Sequence, residues 1–214
     1  MTQITESPTV GDIVATYRRR SLLRVALVAG AALALFITVL IDVITGPADL
    51  SFFRVAHVIF QPGVATPKED VIIWDLRLPV AIMAVVVGAM LGVAGAEMQP
   101  ILSNPLADPF TLGLSSAASF GAAVAIVLGI GALFVTVNAV AFAMVASMGL
   151  FLFTKLRGVS PEAMILVGIA MLFTFNALLA FLQYGASELQ LAQLIFWQLG
   201  SLARATWAKV GICV

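Results

Sequence analysis

Charged side chains are scarce in this 214-residue sequence. Lys, Arg, Asp and Glu make up 10% of the residues, and 62% of the residues are hydrophobic, whereas a soluble domain carries about 25% charged residues. This deficit indicates an integral membrane protein. The charges also balance to a formal net charge of zero, so the composition suggests no nucleic-acid partner.

Cysteine and histidine are nearly missing as well, with one of each, Cys213 and His57, in the whole chain. A single cysteine excludes an internal disulfide and a cysteine-rich metal site. A single histidine argues against a histidine-based cluster, and we expect His57 to be a plain surface residue. The sequence contains no Walker A motif, no glycine-rich nucleotide loop and no Ser/His/Asp constellation. We therefore predict no enzyme activity, catalytic residue, metal ligand or cofactor for this chain.

Long runs without charge predict an all-α, polytopic transmembrane helix bundle with five spans and the start of a sixth. A span needs roughly 20 apolar residues, and Val25 to Ile41 reaches that length with Leu22 and Leu23. As one helix, the uncharged run from Pro109 to Thr154 would be about twice as long as a hydrocarbon core is thick. We therefore expect the run to fold back at Gly129-Ile-Gly131. The later predicted spans are Leu78 to Ala96, Leu114 to Leu128 (rather short), Ala132 to Phe153 and Ala163 to Ser187, with a sixth beginning at Trp207.

A basic cluster, Arg18-Arg19-Arg20 with Arg24, lies at the edge of the first apolar run. By the positive-inside rule this cluster places the N-terminus in the cytoplasm. We predict a short, partly disordered cytoplasmic tail over residues 1–20 and a transmembrane domain over residues 21–214. A nucleic-acid patch is the alternative, and it is disfavoured because the membrane run follows at once.

The segments between the spans differ in character. Gly46-Pro47 ends the first span, and residues 47–76 are predicted to form an external loop with a short interfacial helix from Phe52 to Phe60. Lys155 to Glu162 is predicted to be an internal loop that ends in a helix start, with an N-cap serine followed by proline and an acid. Residues 188–206 are predicted to form an external re-entrant or interfacial helix followed by a turn.

Small residues recur at helical spacing in two of the spans. Gly88, Gly92 and Gly95 lie at intervals of four and three, which predicts a smooth face for close helix packing. A substrate groove is the alternative for this face. Ala117, Gly121 and Ala125 repeat the pattern on the third predicted span.

The stretch from Gly95 to Ser116 is dense in turn-forming residues, although it joins two very apolar segments. It contains Pro100, Pro105 and Pro109, and Asn104 and Asp108 each stand directly before a proline. Proline lacks an N–H group and biases the preceding residue away from the helical region. A helix must therefore end near this stretch and another begin after it, which predicts a shaped connection at the bilayer edge, cytoplasmic by alternation of the spans.

Several motifs occur in a fixed order and together resemble the ABC-importer permease family for iron–siderophore complexes, haem and vitamin B12. The resemblance runs from about residue 22 to about residue 210, and the Asn-Pro-Leu-Ala-Asp-Pro core with its Leu-Gly-Leu-Ser-Ser tail is its specific part. The motifs are Arg77-Leu-Pro79, Asn104-Pro-Leu-Ala-Asp-Pro109, Leu112-Gly-Leu-Ser-Ser116, Leu166-Val-Gly168 and Trp197-Gln-Leu-Gly-Ser201.

The resemblance implies an all-helical permease of roughly ten spans in the bacterial cytoplasmic (inner) membrane, working as a homodimer or a paralogous heterodimer. It also implies cytoplasmic ATPase subunits, which perform the catalysis, and a periplasmic or lipoprotein substrate-binding protein. The expected function is that of the transmembrane permease subunit of an ABC importer for an iron–siderophore or a related metal chelate. The expected contacts are with these proteins and with membrane lipid.

Carried over by position, the cytoplasmic gate would consist of Asn104 and Leu106 with Pro161 and Glu162. The first pair matches the family motif well, whereas small hydroxyl residues are common at the second pair. The alternative is that the motif only shapes a tight turn. The other members of the gate-loop motif are Pro105, Asp108, Pro109, Gly113 and Ser115.

Arg77 is the residue that the resemblance implies for docking the binding protein, through an external salt bridge. The family often has a second arginine after the Leu-Pro pair, where this chain has Val80, and often a basic residue before the Asn-Pro pair, where it has Ser103. The equally weighted alternative for Arg77 is an anchor at the membrane interface.

Length is where the sequence departs most from that family, because a member continues through further spans and through the cytoplasmic loop that seats on the ATPase. We therefore expect a truncated gene product or an incomplete sequence record that represents the N-terminal half. The alternative to a transporting permease is a truncated remnant that inserts into the membrane and carries no substrate. A membrane-embedded enzyme is the weakest hypothesis, because the spans carry almost no catalytic side chains.

Overall fold

The computed structural model describes residues 10–45, 50–61 and 63–214, and all regular secondary structure in these ranges is helical. This confirms the predicted all-α class. The helices are α1 (Val10–Ile44), α2 (Phe52–Phe60), α3 (Pro67–Ile101), α4 (Leu114–Leu128), α5 (Ala132–Arg157), α6 (Pro161–Gly185), α7 (Glu188–Leu199) and α8 (Trp207–Cys213).

Four of these helices are long and apolar enough to cross a membrane: α1 from Thr16 onward, α3, α5 and α6. The helix predicted as the third span, α4, has the expected bounds but only 15 residues. At 1.5 Å per residue it is about 22 Å long, which is less than the roughly 30 Å of a hydrocarbon core. The described residues thus contain four long apolar helices and one shorter apolar helix, in line with the predicted polytopic membrane protein.

The first helix begins earlier than the sequence suggested. α1 starts at Val10, so residues 10–20 of the predicted tail are helical and continue into the first apolar run without a break. The rest of the predicted tail, residues 1–9, lies outside the described residues. The helix ends at Ile44, and the predicted terminator Gly46-Pro47 also lies outside the described residues.

The external loop predicted for residues 47–76 is partly helical. Its short helix, α2, has the predicted bounds from Phe52 to Phe60. The loop prediction is wrong for residues 67–76, because α3 begins at Pro67 and continues through a π-helical segment, Val71–Arg77. Thr66 starts this helix with a capping box, in which the Glu69 N–H donates to the Thr66 hydroxyl and the Glu69 side chain accepts from the Thr66 N–H.

The predicted internal loop from Lys155 to Glu162 is much shorter in the structure. α5 continues through Arg157, and its two basic residues lie in the last turn, where cations favour the helix dipole. Only Gly158, Val159 and Ser160 connect it to α6. The predicted helix start is confirmed, because the Ser160 hydroxyl accepts the Ala163 N–H and Pro161 is in the first turn.

The turn predicted at Gly129-Ile-Gly131 is confirmed, since both glycines have positive φ angles between α4 and α5. The last predicted elements are also present. Residues 188–206 contain α7 followed by a turn, and α8 covers Trp207–Cys213.

The chain divides into two compact units. The first comprises residues 1–83 and 205–212, and the second comprises residues 84–204 with the last two residues. The first unit has one buried core, formed by Val43, Val55, Val58, Ile73 and Ala81. Within it, the Trp207 indole N–H donates to the Trp74 carbonyl oxygen at 2.7 Å.

The second unit is centred on α4, which packs against α5, α6 and α7. Its small-residue face lies directly on α5. A Cβ built on Gly121 would lie 2.5 Å from the Asn138 carbonyl oxygen and 2.8 Å from Phe142 Cβ. Ala117 and Ala125 on the same face are fully buried. The small-residue packing predicted for the third span is therefore confirmed.

Candidate functional site

The connection between α3 and α4, residues 102–113 (the gate loop below), begins with a tightly closed helix end. The Asn104 N–H donates to the Gln99 carbonyl at 3.0 Å, and the Ser103 N–H donates to the Pro100 carbonyl at 3.2 Å. This pattern is the Schellman motif, which needs a left-handed residue at the position of Ser103. Ser103 adopts that conformation, with φ of 48°, although glycine is the usual residue there.

Asn104 and Asp108, which precede prolines, each accept a hydrogen bond from the loop backbone through a side-chain oxygen. Asn104 Oδ1 accepts the Leu106 N–H at 2.9 Å. Asp108 Oδ1 accepts the Phe110 N–H at 2.9 Å and the Thr111 hydroxyl at 2.8 Å. Because an Asx turn mimics a backbone turn and each proline fixes its own φ angle, the repeated pattern gives two successive tight turns.

The turns sort the loop into buried and exposed positions. Leu102, Ala107 and Leu112 are buried together with Leu150 of α5, and residues of α6, including Met164, pack against this group. Leu106 points the other way and is 88% exposed. The loop therefore exposes two large apolar side chains, and Leu106 is far more exposed than Phe110.

The second predicted gate pair lies at the first turn of α6. Ser160 caps this turn, with Pro161 and Glu162 next in sequence. Met164, two residues further, packs against the buried cluster of the gate loop. The structure thus packs Leu102 and Ala107, which flank the Asn104–Leu106 segment, and Met164, which follows the Pro161–Glu162 segment, in one cluster.

The remaining residues of the gate-loop motif have distinct positions. Pro105 and Asp108 are exposed, Pro109 is half-buried, and Ser115 is exposed in the first turn of α4. Gly113 is buried with φ of 70° and lies directly against α6. Sequence reasoning found the motif, but it did not identify which of its residues contact another helix.

The predicted glycine face of α3 has a neighbour at one of its three positions. A Cβ built on Gly95 would lie 3.6 Å from Pro109 Cδ of the gate loop. For Gly88 and Gly92, no described residue of the chain comes within 4 Å of a built Cβ. Packing of another helix on that part of α3 stays a prediction.

Arg77 has a structural partner that the sequence did not indicate. Its Nη1 donates to the carbonyl oxygens of Val43 at 2.8 Å and Ile44 at 2.9 Å. These are the last residues of α1, whose carbonyls have no partner within their own helix. A guanidinium at a helix C-terminus also favours the negative end of the helix dipole. Arg77 therefore caps α1, and docking of a binding protein stays a prediction.

Sequence reasoning also missed an ion pair that holds α2. Arg54 Nε and Nη2 donate to the two carboxylate oxygens of Glu69, each at 2.8 Å, and Nη2 also donates to the Val64 carbonyl at 3.1 Å. The hydrogen bond to Glu69 raises the pKa of Arg54 above its ordinary value. The spacing Thr66-Pro-Lys-Glu69 predicts the capping box, but no local pattern identifies Arg54 as the ion-pair partner of Glu69.

Among the described residues, no group of three His, Cys, Asp or Glu side chains is arranged to hold a metal ion. The arrangement of the gate loop is that of a shaped, apolar and hydrogen-bonded surface.

The chain is similar to several known transport proteins. It is 38% identical over 195 residues to a Methanocaldococcus jannaschii protein named as a candidate ABC transporter permease, covering 84% of this chain and 55% of that protein. It is 35% identical over 140 residues to the vitamin B12 import system permease protein of Serratia proteamaculans, covering 64% and 42% respectively. The chain thus spans about half the length of the curated relatives it matches.

A solved structure gives the same picture. It is described as an inward-facing conformation of a candidate metal-chelate type ABC transporter, and it superimposes with a TM-score of 0.74 at 31% identity, covering 86% of this chain and 56% of that chain. The model of the FecCD transport family matches residues 33–214. This chain belongs to the FecCD transport family.

Proposed function

We propose that this chain is the transmembrane permease subunit of an ABC importer for a metal chelate and that it forms part of the substrate pathway. Membership of the FecCD transport family is the observation that carries the proposal. Two names support the cargo class: one relative is a vitamin B12 import permease, and the similar structure is described as metal-chelate type. Within this class, an iron–siderophore complex is the specific cargo we propose.

The gate loop is proposed to close the pathway on the cytoplasmic side, together with Pro161 and Glu162. Leu106 is 88% exposed on a backbone fixed by Asn104. A large apolar side chain held outward in this way fits steric sealing against a second copy of the chain or a paralogue. Asn104 uses its carbonyl oxygen within the loop, so its NH2 group is the part of the side chain that would donate across a closed gate.

The proposed assembly contains a permease dimer, cytoplasmic ATPase subunits and a substrate-binding protein on the outer side. The chain itself supplies no ATP hydrolysis in this scheme. We place it in the cytoplasmic membrane as a multi-pass protein, with the N-terminus in the cytoplasm, on the strength of the basic cluster before the first span. Besides capping α1, Arg77 is proposed to contribute to docking of the binding protein.

Uptake into proteoliposomes tests this function. The chain would be reconstituted with its ATPase and binding protein, and ATP-driven uptake of a radiolabelled ferric siderophore would be compared with uptake of haem and cobalamin. We expect ATP-dependent uptake that is highest for the ferric siderophore. Highest uptake of cobalamin or haem would overturn the iron–siderophore assignment alone. No uptake of any of the three would contradict the importer proposal.

Gate variants test the role of the loop in the same assay. We expect Leu106→Ala or Asn104→Ala to change the uptake rate or the basal ATPase activity of the complex. Phe110→Ala is the matched control, because Phe110 is an exposed apolar residue of the same loop outside the proposed gate. Unchanged values for both gate variants would show that the stretch serves only as a turn.

A further inference from the structure

The gate loop and α6 approach each other so closely that two glycines are required. A Cβ built on Gly113 would lie 2.7 Å from the Leu172 backbone nitrogen and 2.9 Å from the Gly168 carbonyl oxygen. A Cβ built on Gly168 would lie 2.8 Å from Leu112 Cα and 3.0 Å from the Thr111 carbonyl oxygen. Most of these neighbours are backbone atoms, which cannot rotate away as a side chain could. Gly113 therefore leaves the space that the backbone of α6 occupies, and Gly168 leaves the space that the backbone of the gate loop occupies.

Apolar packing beside the two glycines also holds the gate loop against α6. Leu112, beside Gly113, is buried in a cluster that includes Met164, Ile165, Val167 and Met171 of α6. At the other end of the loop, Leu102 is buried in the same cluster, within the Schellman motif that ends α3. The exposed Leu106 lies between these two anchored ends. The loop is thus fixed to α6 both by close backbone contact and by apolar packing.

The contact also fixes the second gate pair. Gly168 and Pro161 are seven residues apart on one continuous helix, which sets them about 10 Å apart along its axis. A loop seated on Gly168 therefore keeps a constant relation to the first turn of α6. The two segments that carry the predicted gate residues are therefore both attached to α6.

We propose that Gly113 and Gly168 are positioning residues that join the gate loop and α6 into one rigid body. A rigid attachment of this kind predicts that the gate loop and the first turn of α6 move together. The gating role of this body rests on the function proposed above, whereas its rigid attachment rests on the contacts alone.

Hydrogen exchange of the full chain in lipid nanodiscs, followed by mass spectrometry, measures this attachment without substrate or ATPase. Gly168→Ala adds one methyl group at the contact. We expect the amides of residues 102–113 to exchange about tenfold faster in this variant, because a segment that loses its packing opens more often. Amides at the α4–α5 interface should keep their wild-type rates.

Gly149→Ala is the matched control. Gly149 is also inside a long helix, and no described residue comes within 4 Å of its built Cβ. We expect wild-type exchange in the loop of this variant. Equal loop exchange in Gly168→Ala and Gly149→Ala would overturn the proposal.

A comparison within the wild-type chain decides the matter if Gly168→Ala does not fold. Residues 102–113 and residues 200–206 are both connections between helices, and the latter are mostly exposed. The rigid attachment predicts at least about tenfold slower exchange in the gate loop than in residues 200–206. Equal exchange would overturn it. This result is independent of uptake: failed uptake contradicts the importer proposal, whereas fast loop exchange contradicts the rigid body.

Discussion

Two parts of the chain that link helices are held by opposite kinds of contact. The connection from α1 to α3 is held by long charged side chains, with Arg54 paired to Glu69 and Arg77 bonded to the end of α1. The gate loop, residues 102–113, is held by short Asx turns and by a glycine contact that leaves no room for a side chain.

The difference has a practical consequence for mutation. A connection that depends on long side chains is weakened when one of them is shortened. A connection that depends on a missing side chain is weakened when an atom is added. The variants below test this contrast, beginning with the largest expected effect.

Gly113→Ala should cause the largest loss of stability. The new methyl group would meet the backbone of α6 at 2.7 Å, and alanine is strained at φ of 70°. Gly158→Ala is the matched control, because Gly158 has φ of 59° and open space around it. Chemical unfolding in mixed micelles should show Gly113→Ala losing about 1–3 kcal/mol more than the control, which is the usual cost of overpacking. Equal losses would mean that only backbone strain matters at Gly113.

Arg77→Ala should cost about 1.5–3 kcal/mol, the range for hydrogen bonds made by a charged group. It removes the donor for the Val43 and Ile44 carbonyls. Arg157→Ala is the control, since Arg157 is an exposed cation in the last turn of α5. The same unfolding experiment should give the control a loss of about 0.3–1 kcal/mol, the value of a dipole interaction alone. A loss at Arg77 as small as that at Arg157 would refute the capping role.

Ser103→Gly should stabilise the protein by about 0.5–1 kcal/mol, because glycine adopts the left-handed conformation of the Schellman motif without the strain of serine. Ser147→Gly, at an exposed position inside α5, should have the opposite sign and a similar size, since glycine is unfavourable within a helix. Destabilisation by both substitutions would show that the end of α3 does not have this geometry.

Glu69→Gln should have the smallest effect, a modest fall in melting temperature that shrinks as salt is added. The substitution removes the charge that pairs with Arg54 while keeping an oxygen that can accept the Thr66 N–H. Salt screens a partly exposed ion pair. Lys68→Gln, which removes an adjacent exposed charge, should leave the melting temperature unchanged. A fall for Glu69→Gln that does not depend on salt would point to the capping box rather than to the ion pair.

The sequence predicted the parts of the fold that follow from local pattern. The bounds of α2 and α4, the turn at Gly129-Ile-Gly131 and the N-cap at Ser160 all depend on neighbours in sequence, and the structure confirms them. The start of α3 at Pro67 was missed because its charged first turn resembles a loop when the capping box of Thr66 and Glu69 is overlooked.

The site was predictable as a motif but not as a set of contacts. The Asn-Pro and Asp-Pro pairs predict a shaped loop from local sequence. The contacts of Gly113 with Gly168 and of Arg77 with α1, in contrast, join residues that are far apart in sequence. No local periodicity encodes such pairs, because they depend on how the helices pack. Gly168 was noticed as part of a motif, and only the structure shows that a backbone lies against it.

Accessibility of Leu106→Cys to a membrane-impermeant thiol reagent tests the central proposal, a cytoplasmic gate, most directly. It would be measured in a Cys213→Ser background, in the reconstituted complex with and without ATP. Leu156→Cys, at an exposed position in the last turn of α5, is the control and should react at one rate in both states. For Leu106→Cys we expect labelling from the cytoplasmic side only, at a rate that changes with ATP. A rate that does not depend on ATP, or labelling from the outer side, would contradict the gate.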